Sequence, residues 1–352
     1  MNILFFGELY PDVVHGVSLA NRLNLDMLND TPSVDVDVIQ EQTQVSSIGK
    51  SSLSKISTLF FSILSVRKQS RKVPYQVFYS VISLSMLGML KTVFTVYALA
   101  KNNDAQIVLH LHRGDFVRFY QANLLHRFLI KLCFRRVDRL IVLSENQKIE
   151  MAKFFDSKAI FVVENAVLEE KQLPKYDIKS SFGKRFVYIS NYIEAKGIYD
   201  LLETVKTLPD ISLKCYGAFT GNEQSLKSNE TNNVLVNSPI NGVEKFAAIH
   251  LADALILPSW NEGQPTIILE AMLVGTPVLT TKVGLIGELL GEDYPFYFSP
   301  QNPEDLAACV KRFIAYEGKV VLSCQLQARY FQYFSQAHHK IKLYNAFGIT
   351  NN

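Results

Sequence analysis

Short apolar runs alternate with helical patterns over the whole length of the chain. The runs end in glycine, serine or histidine, and segments with apolar positions at helical spacing follow them. This alternation is typical of βαβ units, which build parallel sheets covered by helices. The predicted strands are 2–6, 34–40, 107–111, 140–143 and 160–163 in the first half, and 185–189, 212–216, 234–236, 254–257 and 277–280 in the second. Two parallel sheets are therefore predicted.

A polar segment over 169–184 separates the two series of strands. It contains Pro174 and several charged residues but few large apolar ones, as interdomain linkers do. A chain of 352 residues is long enough for two hydrophobic cores. We therefore predict an N-terminal domain over 1–168, this linker, a C-terminal domain over 185–329, and a closing helix over 330–352 that packs back on the first domain.

The composition is that of a globular protein, with 48% hydrophobic and 20% charged residues. The net charge of +3 is too small to indicate a nucleic-acid partner. No C-x-x-C pair occurs among the four cysteines, which disfavours a zinc site and a disulfide framework. Glu8 and Asp12 lie where a signal peptide would be apolar. A cytoplasmic location is predicted.

Two segments raise the question of membrane contact. Residues 77–100 carry a single charge, Lys91, over a length sufficient for a membrane span, but a buried strand followed by a helix is the favoured interpretation. Residues 50–72 place apolar side chains at helical spacing between lysines and arginines. Such a helix either lies on an anionic membrane surface, here the inner face of the cell membrane, or packs its apolar side into the N-terminal domain.

The most informative stretch follows the predicted strand 254–257. A loop rich in polar residues leads to Pro265, which is expected to begin a helix in the first-turn position. The free N–H groups and the dipole at a helix N-terminus attract phosphate. Glu262 in the loop and Glu270 in the helix are suited to accept hydrogen bonds from sugar hydroxyls. The spacing indicates a nucleotide sugar, whereas a helix cap at Glu262 and a solvent-facing Glu270 are the alternative.

The pattern E-G-x-P-x-x-x-L-E-A-M-x-x-G-x-P-V over 262–278 resembles the donor-site motif of retaining glycosyltransferases of family 4. This resemblance implies the GT-B fold: two Rossmann-like, doubly wound parallel-sheet domains facing an interdomain cleft. It implies that Glu270 holds the ribose hydroxyls and that Glu262 faces the donor sugar. The backbone that it places near the sugar and phosphates belongs to Gly263, Gln264, Pro265 and Thr266.

A second match begins the C-terminal domain, where K-G-x-x-x-L-L resembles the family's phosphate-binding helix. Lys196 would stabilise charge on the leaving diphosphate, and an ordinary exposed lysine is the alternative. The chain has Ser190 and Asn191 where the family often has Gly-Arg. One phosphate cation is therefore missing beside Asn191 or supplied by another residue.

Two further loops resemble the family less completely. The loop after strand 234–236 looks like the one whose backbone reads the base, with Pro239 and Ile240 near it. In the run 283–288, Leu285 and Gly287 replace the usual Gly and Pro, which puts the geometry of that loop in doubt.

In the first half, two loops match the family. Gly16 lies in the loop after the first strand, where relatives carry a glycine-rich turn near the donor phosphates. His15 stands where a second glycine is common in that turn. A plain turn before a helix also explains the glycine at position 16. His112 follows strand 107–111 at the position of a histidine that contacts the donor sugar. His110 points to the same face of the strand and is the alternative contact.

Taken with the residues, the resemblance implies a retaining, metal-independent transferase with His112, Glu262 and Lys196 as catalytic residues. The substrate would be a UDP- or GDP-linked sugar, with no separate cofactor, and the acceptor a glycan or lipid-linked sugar of bacterial capsule, O-antigen or exopolysaccharide synthesis. Two alternatives stay open: a GT-B epimerase or phosphorylase, and a noncatalytic donor-binding subunit. No G-x-G-x-x-G follows the first strand, which disfavours a dehydrogenase.

Overall fold

The computed structural model describes residues 1–41, 53–100, 104–219 and 223–349. The chain divides into two compact units. Met1–Leu168 together with Gln336–Asn352 form the first unit, and Glu169–Ser335 form the second. The predicted linker over 169–184 lies in the second unit.

The first unit is a six-stranded parallel sheet with helices on its faces. Its strands are β1 (Asn2–Gly7), β2 (Asp35–Gln40), β3 (Val77–Val81), β4 (Gln106–His110), β5 (Arg139–Val142) and β6 (Ile160–Val162), in the order β2-β1-β3-β4-β5-β6. Its first helices are α1 (Gly16–Asn29), α2 (Leu53–Gln69), α3 (Met86–Ala100), α4 (Phe116–Gln121), α5 (Leu124–Phe134) and α6 (Glu145–Met151).

Both faces of this sheet are buried, as the alternation of side chains in β1 shows. Ile3 and Phe5 enter one apolar cluster, whereas Leu4 and Phe6 enter another. Successive side chains of a strand point to opposite faces, so a sheet covered on both sides needs apolar residues at nearly every position. This is why β1, β3 and β4 are mostly apolar runs, whereas the edge strand β2 alternates polar and apolar residues and is largely exposed.

The second unit has a sheet of the same kind. Its strands are β7 (Arg185–Ile189), β8 (Ser212–Tyr216), β9 (Val234–Asn237), β10 (Ala254–Leu257), β11 (Val278–Thr281) and β12 (Tyr297–Phe298), in the order β12-β11-β10-β7-β8-β9. Its helices are α7 (Ile198–Val205), α8 (Glu223–Lys227), α9 (Gly242–Leu251), α10 (Thr266–Leu273), α11 (Ile286–Leu290), α12 (Pro303–Ala315) and α13 (Lys319–Tyr333).

The prediction of two doubly wound parallel sheets is confirmed. In the first sheet the strand order reverses between β1 and β3, and in the second between β7 and β10. Ligands of open α/β sheets bind at such switch points, beyond the carboxyl ends of the strands. The reversal in the second sheet therefore lies where the predicted donor motif falls.

The favoured interpretation of residues 77–100 is also confirmed, because β3 and α3 occupy this segment. Among the residues that the structure describes, no helix is both long and apolar enough to cross a membrane. The strand β12 was absent from the predicted set, because its two residues are too few for a pattern to indicate.

The closing segment differs from the predicted single helix over 330–352. Residues 330–333 end α13 in the second unit, and a separate helix α14 (Gln336–Phe347) packs in the first unit. The side-chain amide of Gln336 donates to the carbonyls of Val167 and Leu168, each at 2.8 Å. Such contacts join residues far apart in sequence, so the helical pattern alone does not reveal the break.

The helix α2 has one packed side and one solvent-facing side. Val66 is fully buried in the core of the first unit, whereas Phe60 is 60% and Phe61 65% exposed. Residues 50–52 of the predicted basic segment lie outside the described residues.

Candidate functional site

The loops that leave β7 and β10 meet at the switch point of the second sheet. The two strands pair directly, with Leu255 opposite Val187. The loop after β10 carries Glu262, and the loop after β7 carries Lys196 in a short 3-10 turn. Parallel strands end at the same edge of a sheet, so residues 66 positions apart in the chain meet here.

Lys196 and Glu262 form an ion pair at this edge. The Lys196 Nζ atom donates to Glu262 Oε1 at 2.7 Å. The Glu262 side chain is 8% exposed and that of Lys196 29%, so the carboxylate is largely shielded and the ammonium is partly open to solvent. Lys196 is thus half-buried and ion-paired, unlike the ordinary exposed lysine of the alternative interpretation.

Gly197 explains how the Lys196 loop approaches β10 so closely. Its φ is +70°, and a Cβ atom would lie 2.1 Å from the Pro258 carbonyl oxygen. The Trp260 backbone N–H donates to the Ala195 carbonyl at 2.9 Å, and its indole N–H donates to Asp200 at 2.8 Å. Only glycine fits here, and the two loops are locked together.

The loop after β11 supports Glu262 from another side. Gly284 has a φ of +58°, and a Cβ there would lie 1.9 Å from the Glu262 carbonyl oxygen. The Leu285 N–H donates to the Gly263 carbonyl at 3.1 Å. Leu285 is buried, and its neighbour begins α11. The backbone contact to the donor loop is therefore made with Leu285 in place of the glycine usual in the family.

The helix α10 begins one residue later than predicted. Pro265 is its N-cap, with extended backbone at φ −69° and ψ 120°, and Thr266 is the first helical residue. Pro265 makes no side-chain capping hydrogen bond, and in the part of the chain that the structure describes the Glu262 carboxylate is bound to Lys196. Gln264 is buried, whereas Thr266 is half-buried. The first N–H groups of α10 are not taken by a side-chain cap and suit an anion.

Glu270 lies inside α10 and is 3% exposed, so the solvent-facing alternative is wrong. Its Oε1 accepts a hydrogen bond of 2.8 Å from Lys245 Nζ in α9. The same ammonium lies 3.6 Å from Glu169 Oε1. Sequence reasoning missed Lys245 and Glu169 because neither belongs to a local motif; only the packing of α9 against α10 brings them to Glu270.

The remaining predicted donor-side residues lie on neighbouring loops of the second unit. Asn191 follows β7, is half-buried, and receives a hydrogen bond on its carbonyl from the Tyr188 hydroxyl at 3.3 Å. Pro239 and Ile240 lie between β9 and α9. Pro239 is exposed and Ile240 half-buried, which leaves this loop accessible.

In the first unit, His112 lies two residues beyond β4 and is 6% exposed. Among the described residues neither of its ring nitrogens has a hydrogen-bond partner, and its ring lies 3.8 Å from that of His110, centroid to centroid. Burial, with the nearby His15 and His339, lowers the pKa of His112 to about 3. A neutral imidazole with two unsatisfied buried nitrogens is suited to bind a hydroxyl.

His110 is occupied differently. Its Nδ1 lies 2.9 Å from the Tyr79 hydroxyl, which also accepts a hydrogen bond from Asn24 at 3.1 Å. Burial, followed by the neighbouring His112 and His339, lowers the pKa of His110 well below its ordinary value. His110 Nε2 is buried and has no hydrogen-bond partner among the described residues, so His110 is anchored through one nitrogen, whereas His112 has neither nitrogen bound and stays the predicted ligand contact.

Gly16 is exposed at the first position of α1. The preceding His15 caps this helix: its Nδ1 accepts from the Ser18 N–H at 3.2 Å, and its Nε2 lies 2.6 Å from Glu8. The turn is thus built as a side-chain capping box. These contacts are those of a capped helix N-terminus, and a phosphate contact by Gly16 stays a prediction.

Comparison with known proteins agrees with this geometry. Residues 183–315 match the family of glycosyl transferases group 1. Over 219 residues the chain is 27% identical to TuaC, a Bacillus subtilis glycosyltransferase assigned to teichuronic acid biosynthesis, a match that covers 60% of this chain and 53% of that protein. The chain thus spans about half the length of the curated relatives it matches.

Solved structures resemble the whole chain. Sucrose-phosphate synthase from Thermosynechococcus elongatus superposes with a TM-score of 0.77 at 17% identity, covering 99% of this chain and 98% of that one. The lipopolysaccharide outer core galactosyltransferase WaaB superposes with a TM-score of 0.67 at 15% identity, covering 99% of each chain. At these identities the likeness concerns the fold.

Proposed function

We propose that this chain, whose residues 183–315 match the glycosyl transferases group 1, transfers a sugar from a nucleoside-diphosphate sugar to an acceptor hydroxyl, with retention of configuration and without a metal ion. The observation that carries this proposal is the cluster of Lys196, Glu262 and the N-terminus of α10 at the switch point of the second sheet. The cluster combines donors for a diphosphate with an acceptor for sugar hydroxyls.

The diphosphate would bind at the N-terminus of α10. The backbone at Gly263, Gln264, Pro265 and Thr266 would lie near its oxygens, with N–H donors from all of these residues except the proline. Glu270 would accept hydrogen bonds from the ribose hydroxyls. Pro239 and Ile240 would lie beside the base. Asn191 carries no charge, so Lys196 is the cation that we assign to the phosphates.

Lys196 would exchange partners when the donor binds. In the structure its ammonium is bound to Glu262 at 2.7 Å, with part of the side chain open to solvent. A diphosphate carries more negative charge than one carboxylate and would draw the ammonium to itself. Glu262 is then available to the hydroxyls of the donor sugar, and Lys196 stabilises the charge that develops on the leaving group.

The chemical step would be attack on the anomeric carbon from the side of the leaving diphosphate, whose oxygen removes the acceptor proton. The bond from the anomeric carbon to the phosphate oxygen breaks as the bond to the acceptor oxygen forms. His112 would bind a hydroxyl of the donor sugar as a neutral imidazole, since its pKa of about 3 keeps it uncharged. Gly16 would leave room for the donor phosphates at the start of α1.

We infer that the acceptor is a glycan or lipid-linked sugar of bacterial surface polysaccharide synthesis. The similarity to a protein of teichuronic acid biosynthesis and to a lipopolysaccharide core galactosyltransferase supports this class. Such acceptors are carried at the inner face of the cell membrane, so the protein would work as a cytoplasmic enzyme at that surface.

The outer side of α2 supports a membrane-facing role. Phe60, Phe61 and Leu64 are exposed large apolar residues on this helix, and Lys68, Arg71 and Lys72 follow them as exposed cations. The neighbouring helices α3 and α5 add Phe94, Leu124, Leu125 and Phe128 as further exposed apolar residues.

Acidic residues are missing from this part of the chain. Neither 42–103 nor 116–137 contains an aspartate or a glutamate. An apolar surface with cations and without carboxylates is complementary to anionic lipid, to which each nearby lysine or arginine contributes about 1 kcal/mol. The segment 50–72 is therefore the membrane contact that we propose.

A donor screen tests the proposed function. The protein is mixed with UDP, GDP and their common hexose conjugates, and its Tm is measured with each. A ligand at 100 times its Kd stabilises the folded state by about 2.7 kcal/mol, which shifts Tm by several degrees. The absence of any shift contradicts the proposal. Conversion of the sugar nucleotide without an acceptor would identify an epimerase. Binding of the sugar nucleotide with no turnover on any acceptor would identify a noncatalytic subunit.

A further inference from the structure

The Glu270 carboxylate is held in a buried cluster of three charged groups. Lys245 Nζ lies 2.8 Å from Glu270 Oε1 and 3.6 Å from Glu169 Oε1. The side chains of Lys245, Glu270 and Glu169 are 8%, 4% and 13% exposed. Two buried carboxylates thus share one buried ammonium, and the cluster has one excess negative charge.

Glu169 is the unusual member of this cluster. Its Oε2 is buried and has no hydrogen-bond partner among the described residues. Glu169 precedes a short 3-10 turn over Glu170–Gln172, but its side chain does not cap that turn. Burial of a carboxylate oxygen without a hydrogen-bond donor costs folding free energy. Stabilisation of the local turn therefore does not explain why this oxygen is buried.

The elements packed against α10 present few other charges to Glu270. The helix α9 supplies Lys245 and, one turn beyond it, His250, whose ring binds the carbonyl of Val274 at the far end of α10. The helix α13 contacts α10 through the neutral Gln327, which donates to the Leu273 carbonyl at 3.0 Å. Glu169 is therefore the negative group, and Lys245 the positive group, that act directly on the Glu270 carboxylate.

These neighbours have opposite effects on the ionisation of Glu270. Burial raises the pKa of this carboxyl, Lys245 lowers it, and Glu169 raises it again, so that the pKa lies above its ordinary value. Lys245 stays protonated, since both carboxylates oppose the effect of its burial and raise its pKa. A protonated Glu270 would offer a poorer acceptor to two ribose hydroxyls.

On the basis of the proposed function, we propose that Lys245 and Glu169 are positioning residues of the ribose subsite, which together set the orientation and the charge of the Glu270 carboxylate. Lys245 fixes one carboxylate oxygen and leaves the other for the ribose. Glu169 shares the Lys245 ammonium with Glu270 and, as a second carboxylate, favours the protonated form of Glu270, so its effect opposes that of Lys245. Nucleotide affinity depends on pH through this balance.

The test measures the Kd of UDP and of GDP by titration calorimetry between pH 5 and pH 8 for the full chain and three variants. Affinity falls as pH drops through the pKa of Glu270 in the free protein, by up to about tenfold per pH unit. Glu169→Gln removes a negative neighbour and lowers this pKa, so the acidic decline starts at lower pH than in the parent. Lys245→Met removes the positive neighbour, so the decline starts at higher pH and affinity at pH 7 falls by roughly tenfold or more. Titration of the nucleotide phosphate is common to all variants and cancels in the comparison.

Lys282→Met is the matched control, because Lys282 forms an ion pair with Glu292 at 2.6 Å on the surface. Its profile should coincide with that of the parent. If Lys245→Met does not fold, Glu169→Gln, which is nearly isosteric, decides the question alone. Opposite displacements of the acidic decline support the inference. Profiles of Glu169→Gln and Lys245→Met that overlie the parent overturn it while leaving the nucleotide site intact. A parent chain that binds neither nucleotide, or a Glu270→Gln variant that binds as the parent does, refutes the proposed site itself.

Discussion

Lys196 and Glu262 are joined by a hydrogen bond of 2.7 Å between the loops that follow β7 and β10. The pair occupies the switch point of the second sheet. A glycine packs against each side of it: a Cβ atom at Gly197 would clash with the Pro258 carbonyl, and a Cβ atom at Gly284 would clash with the Glu262 carbonyl. The contact therefore belongs to the framework of the site and not to a chance meeting of surface side chains.

Loss of the Lys196 ammonium should slow the chemical step more than it weakens donor binding. Lys196→Ala removes the cation that we assign to the leaving diphosphate, and kcat should fall by about 10²–10³-fold. Steady-state kinetics with a saturating donor measure this effect. Lys206→Ala, at an exposed lysine just after α7, is the control and should retain parental kcat. A variant at position 196 with unchanged turnover would remove Lys196 from the mechanism.

Glu262 should distinguish the sugar nucleotide from the nucleotide alone. Glu262→Gln keeps the shape of the side chain but weakens its hydrogen bonds to sugar hydroxyls, so affinity for the nucleotide sugar should fall by roughly tenfold. Affinity for the free nucleoside diphosphate should stay within about threefold of the parent. Calorimetric titration with both ligands makes the comparison, with the exposed Glu244→Gln as control. Equal losses for both ligands would place Glu262 at the phosphates and not at the sugar.

His112 should make the folded state sensitive to acid. Its pKa is about 3 in the folded protein and about 6.5 in the unfolded chain, so below pH 6.5 the unfolded state binds a proton that the folded state does not. Its contribution to stability is complete above pH 6.5 and is lost as pH falls toward 3, by at most about 1.4 kcal/mol per pH unit.

Urea denaturation at pH 7.5 and pH 5.0 tests this linkage. The loss of unfolding free energy between the two pH values should be smaller in His112→Gln than in the parent. Gln332→Asn, at an exposed position that does not titrate, should leave the loss unchanged. The same loss in both variants would show that His112 titrates normally in the folded protein.

Two glycines with similar backbone provide a test of the Glu262 support. Gly284 and Gly242 have φ values of +58° and +55°, but a Cβ at 284 would lie 1.9 Å from the Glu262 carbonyl oxygen, whereas a Cβ at 242 would meet nothing within 4 Å. Gly242→Ala should cost only the left-handed backbone strain of about 1 kcal/mol. Gly284→Ala should cost more and lose turnover, because Glu262 must move. Thermal denaturation and activity of the two variants measure the difference, and equal effects would contradict this account of the loop.

The apolar side of α2 should bind anionic vesicles. Replacement of Phe60 and Phe61 by serine removes two exposed aromatic side chains and should reduce binding to phosphatidylglycerol vesicles by at least about tenfold. Cosedimentation with phosphatidylglycerol and with phosphatidylcholine measures the effect and its charge dependence. The control replaces Val243 and Leu251, which are equally exposed in the second unit, by serine. Equal binding of both double variants would exclude α2 as the contact.

Most of the secondary structure could be predicted because a parallel sheet covered on both faces imposes a strong local signal. Strand β7 and strand β10 were predicted at their observed limits, Arg185–Ile189 and Ala254–Leu257. Positions at element ends were less certain: Pro265 has helical φ but extended ψ, so it caps α10 and does not begin it. Proline restricts only φ, and the sequence does not distinguish the two cases.

The motif residues Lys196, Glu262 and Glu270 were recognised because their spacing along the chain is itself the signal. Their partners could not be. Lys245 reaches Glu270 from another helix, and Glu169 comes from a segment that sequence reasoning treated as a linker.

The sequence by itself determined the two sheets, the donor loop and the acids within it, because periodicity and short motifs are local properties. Only the tertiary structure decided which charges face Glu270, that Lys196 pairs with Glu262, and where the last helix breaks. These features depend on the order in which strands pair and helices pack. Contacts between distant segments of the chain cannot be recognised from the spacing of residues.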